Sequence, residues 1–200
     1  MSVAPVAPVV PVAPTAAAPG AHTDGTTGDD ARRFPIGAFR RRDRYSDVEF
    51  AHAVERLASQ PQRLADALHG LTESDFASPY RSGGWSVRQL VHHVADSHVN
   101  AYIRIKLALT EPEPRITAYD QDAWVTLPEI DAVSPHTSVA LLTALHARLV
   151  PILRMLDIRA RERRLLHPDN GPMTVDQVTA LYAWHGDHHI AHLLAYRATN

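Results

Sequence analysis

The 200-residue sequence contains no cysteine. That excludes a disulfide scaffold, a thiolate zinc site, an iron–sulfur cluster and a cysteine nucleophile carried by the protein itself. A surplus of positive charge is missing too, with 20 Lys and Arg facing 22 Asp and Glu for a formal charge of −2. A chain built to coat nucleic acid would carry a clear basic excess, so no nucleic-acid partner is expected. No apolar run approaches the roughly 18 residues of a membrane span, and no membrane helix is expected. The first residues lack a basic segment, and proline interrupts each apolar stretch there, so no secretory signal is read and a cytoplasmic location is expected. Neither an alternating strand pattern nor an internal repeat stands out. What the chain does have is apolar residues, at 45%, and 13 histidines, many of them clustered.

Two parts are distinguishable. Residues 1–33 carry Pro5, Pro8, Pro11, Pro14 and Pro19 and then turn polar and Gly-rich. Repeated proline removes backbone donors and favours extended conformations, so a flexible arm is expected there. Residues 34–200 have the composition of one globular domain. Ser46 with Glu49, Ser86 with Gln89 and Thr174 with Gln177 each fit a capping box, in which the hydroxyl accepts from the N3 amide and the N3 side chain reaches back. Helices are expected near 46–70, 86–110, 137–158 and 174–197. Gly70 and the Pro112 and Pro114 pair end the first two, and Pro151 should kink the third or shorten it. Val87, Leu90, Val91 and Val94 give the second an apolar face, as Leu141, Leu142, Leu145, Leu149 and Ile152 do the third. The fold class is therefore all-α, a four-helix bundle, with a 111–136 connection long enough to form a lid or wall.

Chemistry concentrates in two windows, 91–98 and 184–192. On the last helix Val178, Tyr182, His185, His189, His192 and Tyr196 follow one another at steps of three and four. An i,i+4 histidine pair holds its Cβ atoms roughly 5–6 Å apart and can converge on one ion. His188 and His192 share that spacing, but the stripe continuing from Val178 and Tyr182 favours His185 with His189. On the second helix His93 shares a face with Leu90, Ser97, Asn100 and Arg104, whereas His92 aligns with Asp96, Val99 and Ile103. One histidine from this helix and two from the last would leave coordination positions open, as in a catalytic rather than a structural site. Imidazole suits several divalent metals, zinc and nickel among them. Asp96 and Asp187 could orient imidazoles or be exposed helix charges. The arginines at 32, 33, 40, 41, 42 and 44 read as a solvated linker, and Trp85, Trp124 and Trp184 as packing residues.

The run from Tyr80 to Arg104, YRSGGWSVRQLVHHVADSHVNAYIR, resembles the YfiT branch of the DinB/YfiT-like superfamily. So do YDQDAW at 119–124, His167 with Pro168, and LYAWHGDHHIAH at 181–192. The likeness runs from about 34 to 197 and leaves out the arm. It implies an up-down-down-up four-helix bundle with one divalent ion per chain, zinc or nickel, held by His93, His185 and His189.

The resemblance further implies a metal-dependent hydrolase or, in the bacillithiol transferase-like branch, a thiol S-transferase acting in detoxification. Such an enzyme would join a low-molecular-weight thiol to a small electrophile. A coordinated thiol loses its proton at neutral pH, and without cysteine the sulfur must come from a cosubstrate. The alternatives are a hydrolase that activates water at the same ion, or a non-catalytic metal or ligand-binding module. Asn100 and Arg104 follow His93 on a similar face, which makes them candidate contacts for a thiol's carboxylate; an ion pair with a neighbouring helix is the other reading of Arg104. A homodimer is expected.

Overall fold

The computed structural model describes residues 32–200, so all but the last two residues of the expected arm lie outside the described residues. Four long helices dominate: α1 (Asp47–Leu68), α3 (Val87–Thr110), α6 (Pro135–Arg154) and α8 (Val175–Thr199). Short helical turns lie between them: α2 (Glu73–Ala77), α4 (Gln121–Trp124), α5 (Glu129–Ala132) and α7 (Ile158–Arg161). Ser46, Ser86 and Thr174 each cap a helix through a complete capping box with Glu49, Gln89 and Gln177. Thr72 and Asp75 add a fourth box, on α2, that the sequence analysis did not single out. The helix expected at 137–158 starts and ends earlier. Ser134 caps it, Pro135 occupies its first turn, and it runs through Pro151 to Arg154.

Side-chain contacts fix the bundle's connectivity. Along α3 and α6, His92 meets Ser138 and His98 meets His146, so these helices run in the same direction. Along α3 and α8, His93 meets His185 while Arg104 meets Tyr182, so this pair is antiparallel. Arg56 bonds the Ala183 carbonyl and Arg197 the Asp66 carbonyl, which makes α1 parallel to α8. The order is up-down-down-up. Helices α1 and α3, successive long helices, sit diagonally, because α1 packs on α6 and α8 and α3 packs on the same two.

Two expectations need correction. A two-stranded antiparallel hairpin, β1 (Arg164–His167) with β2 (Gly171–Thr174), precedes α8 although no strand was read from the sequence. Four-residue strands containing Pro172 and Gly171 are too short to show an alternating pattern. The hairpin also anchors the long connection, for Ile116 donates to the Leu166 carbonyl and Leu166 to that of Pro114. The buried stripe of α6 is also rotated from the one expected. Leu141 is 45% exposed, whereas Val139, Leu142, His146, Leu149 and Leu153 face inward. The stripe is centred on a histidine that an apolar count passes over. By length and composition alone α6 could cross a membrane, with a mean hydropathy of 1.3 over its most apolar window. In this fold it packs against α1 and α3.

Helices α1 and α8 approach closely at Gly186. A Cβ there would lie 2.4 Å from Gln60 Oε1, and Gln60 is 1% exposed and donates to the Ala183 carbonyl at 2.8 Å. Gly186→Ala is expected to destabilise the bundle by about 1–3 kcal/mol through overpacking, more than the 0.5–1 kcal/mol or so that helix propensity returns. Gln60→Ala in the same background should recover most of it. Urea denaturation reads both, and an unchanged midpoint for Gly186→Ala would show that Gln60 simply withdraws.

Candidate metal centre

The three histidines arrive from two helices. The Ser86 box starts α3 so that Val87, Leu90, Val91 and Val94 enter the core, and this rotation turns His93 toward α8. The Thr174 box likewise sets α8, whose buried Val178 and Tyr182 continue into His185 and His189. His185 Nε2 lies 3.1 Å from His93 Nε2 and 3.2 Å from His189 Nε2. His93 and His189 are 3% and 7% exposed.

This arrangement fits a metal ion. Two nitrogens each about 2.0–2.1 Å from a tetrahedral ion are roughly 3.3 Å apart, close to the spacings found. Hydrogen bonding alone accounts for the cluster poorly, since one proton on His185 Nε2 can serve only one of its two neighbours. The Nδ1 atoms of all three rings are buried without a hydrogen-bond partner among the described residues. Burial keeps the rings neutral. It pushes the His93 imidazole down to about 4, and burial with the neighbouring rings' repulsion lowers His185 and His189 further below the usual range. Neutral imidazoles offer lone pairs at physiological pH, as ligation requires.

A cavity of about 460 Å³ opens over the trio. Its walls are aromatic. Trp85 meets the His93 ring edge-on at 4.8 Å, and Trp184 stacks on His188 at 4.5 Å. Arg33 and Arg81 line it beside Tyr80, and the long connection contributes Gln121 and Asp122. The segment read as a solvated linker covers α8: Trp184 Nε1 donates to the Gly37 carbonyl, and His192 Nε2 bonds the Arg33 carbonyl. His188, His189 and His192 form a second group whose ligand atoms lie within 4.8 Å of one another. In it His192 already spends Nε2 on Arg33.

Other candidates lie elsewhere. His92 is a buried structural residue, bonded to Ser138 Oγ at 2.7 Å and to the Val133 carbonyl at 3.2 Å. Neither Asn100 nor Arg104 lines the cavity. Asn100 donates to its own helix at the Asp96 carbonyl. Arg104 is buried behind the trio, its guanidinium donating to Tyr182 Oη and the Thr117 carbonyl, and it forms no ion pair among the described residues. Asp187 orients no imidazole but ties α8 to α1 through Arg56 and Arg63, each at 2.6 Å. Burial and the nearby Glu129 raise the Asp96 carboxyl to about 6. His98 and His146 form a buried pair joined at 2.9 Å between α3 and α6, which no helical spacing in the sequence marks because each comes from a different helix.

Comparison with known proteins agrees with this architecture. The family model described as the DinB superfamily matches residues 56–193. The Bacillus subtilis protein named "Putative metal-dependent hydrolase YfiT" is 42% identical over 161 residues, 80% of this chain and 90% of that one. A similarly named protein of Bacillus cereus strain AH820 is 39% identical over 165 residues, covering 82% and 95%. The solved structure of YfiT from Bacillus subtilis, described as having an unusual four-helix bundle topology, superposes with a TM-score of 0.82 at 40% identity over 84% of this chain and 97% of that one. The four-helix bundle protein TT2238 shares the fold at 20% identity and a TM-score of 0.54. A histidine trio on two antiparallel helices of an up-down-down-up bundle thus comes with a sequence match across the same helices, and the chain belongs to the DinB superfamily.

Proposed function

We propose that this chain is a metal-dependent enzyme that joins a low-molecular-weight thiol to a small electrophile. The carrying observation is the chemistry of the cavity. Three convergent imidazoles form its floor, and no Ser, Thr, Cys or Lys is among its lining residues. In this reading a bound thiol is the nucleophile, and Asp122 and Tyr80 are polar groups of the wall. A divalent ion held by His93, His185 and His189 would supply Lewis acidity that lowers the pKa of a thiol or a water. The protein's own residues do the rest. Trp85, Trp184 and Phe34 form an apolar wall for the electrophile. Arg33 and Arg81 carry the cavity's lining cations and can hold the carboxylate such thiols bear, a role that Arg104, which is buried and does not line the cavity, does not fill.

Steady-state kinetics with the thiol varied at saturating electrophile tests this. Turnover should require both added metal and added thiol. Arg81→Met should keep the metal and raise the thiol KM about tenfold, the low end for losing one charge-assisted contact. Metal-dependent cleavage of an ester or amide without thiol would assign the site to water activation instead, the reading favoured by the names of the relatives.

A further inference from the structure

We propose that His98 and His146 form a relay with one fixed proton arrangement, and that it ends in an acceptor reserved for the Nδ1 proton of His185. The inference rests on the three-histidine metal centre and is independent of what that centre reacts with.

The relay begins at a backbone carbonyl. His146 Nδ1 lies 2.7 Å from the Leu57 carbonyl of α1, an atom that can only accept, so Nδ1 carries the proton. The neutral ring then has a lone pair on Nε2. That nitrogen lies 2.9 Å from His98 Nδ1, which must therefore donate to it. The proton of His98 is thereby committed to Nδ1, and its Nε2 is left as a lone pair. One proton on each ring satisfies both hydrogen bonds, to the Leu57 carbonyl and between the rings.

His98 Nε2 is buried without a partner among the described residues, and so is His185 Nδ1. An acceptor left dry and unpaired is destabilising, so a fully buried one calls for an explanation. These two orphans belong to adjacent rings. The His98 and His185 ring centroids are 5.7 Å apart, so a movement of these neighbouring rings on metal binding would bring the two orphans together. Tyr182 packs edge-on against both rings and limits their other movements. The two orphans are complementary in the metal-bound state. When His185 gives Nε2 to an ion, its proton must sit on Nδ1, and metal-ligating histidines donate that proton to a fixed acceptor. A chain from the Leu57 carbonyl through His146 and His98 to His185 fixes the tautomer and ring angle of one ligand from three helices at once. These two histidines then act by positioning and do not touch the reactants.

The first measurement needs no variant. Long-range ¹⁵N–¹H spectra of the zinc-loaded chain should show Nε2 unprotonated in both His98 and His146, and a His185 Nδ1 proton protected from solvent exchange. A protonated His98 Nε2 would overturn the relay, because its direction would be reversed. The second measurement is zinc affinity by chelator competition. His98→Leu removes the acceptor and should weaken zinc binding about tenfold to a hundredfold. His98→Gln, whose amide oxygen can replace the lone pair, should recover most of the loss. Unchanged affinity in a folded His98→Leu chain overturns the relay and leaves the three-histidine centre standing. Undiminished zinc uptake by His93→Ala overturns the centre, and the relay with it.

Discussion

Replacing His185 by alanine is expected to weaken divalent-metal binding by more than about a hundredfold, since even the outer partners of a ligand are worth 10–100-fold. His185 is the hinge of the trio, the ring whose Nε2 lies within 3.2 Å of both others. His93→Ala and His189→Ala should come close to the same loss, because two imidazoles rarely hold an ion that three hold tightly. His92→Ala should retain metal while losing stability, for its ring joins α3 to Ser138 and the Val133 carbonyl. His188→Ala should also retain it. Calorimetric titration with zinc, on variants first shown to be folded by circular dichroism, separates these cases. Retention of metal by His185→Ala together with its loss in His192→Ala would move the centre to the neighbouring group of His188, His189 and His192.

The second large effect is acid lability of the metal-free chain. His93 takes up a proton near pH 6.5 when unfolded, but in the folded chain only near about 4, because burial disfavours the charged ring. Between those values the unfolded state binds more protons, so stability falls as pH falls through that window. At pH 5 this one residue costs about 2 kcal/mol relative to neutral pH. His98, His185 and His189 are shifted the same way and further. Asp96 works in the opposite sense. Its carboxyl, raised to about 6, takes a proton in the folded chain first and returns part of the loss as pH drops. Several buried imidazoles outweigh one half-buried carboxyl, so the unfolding free energy read from urea titration should drop by several kcal/mol between pH 7.5 and pH 5. A flat profile over that range would mean that the histidines are hydrated or already charged in the folded state.

The sequence was most readable where local chemistry decides structure. Ser46, Ser86 and Thr174 announced three helix starts because a capping box is a self-contained set of hydrogen bonds. His185 and His189 stood out because helical spacing converts directly into distance. What depended on tertiary packing was harder. The α6 stripe was misplaced because His146 sits in the core, made compatible with it by the Leu57 carbonyl of another helix. Arg104 reads as a candidate substrate contact or ion-pair partner because its helical face is right, yet it lies outside the cavity lining, where it donates to Tyr182 Oη and the Thr117 carbonyl. The up-down-down-up order leaves no trace in hydrophobic periodicity, and that expectation came from the family resemblance, while the diagonal placement of α1 and α3 emerged only from the packing. Trp85 and Trp184 do pack, as expected of them, but what they pack against is the histidine cluster.

The account stands on one ion at one place. Anomalous diffraction at the zinc edge from zinc-soaked crystals of the full chain locates it directly. The expected result is a single strong peak per chain, about 2.0–2.1 Å from the Nε2 atoms of His93, His185 and His189. A peak centred on His188 and His192 instead, or no bound zinc under those conditions, would contradict the account.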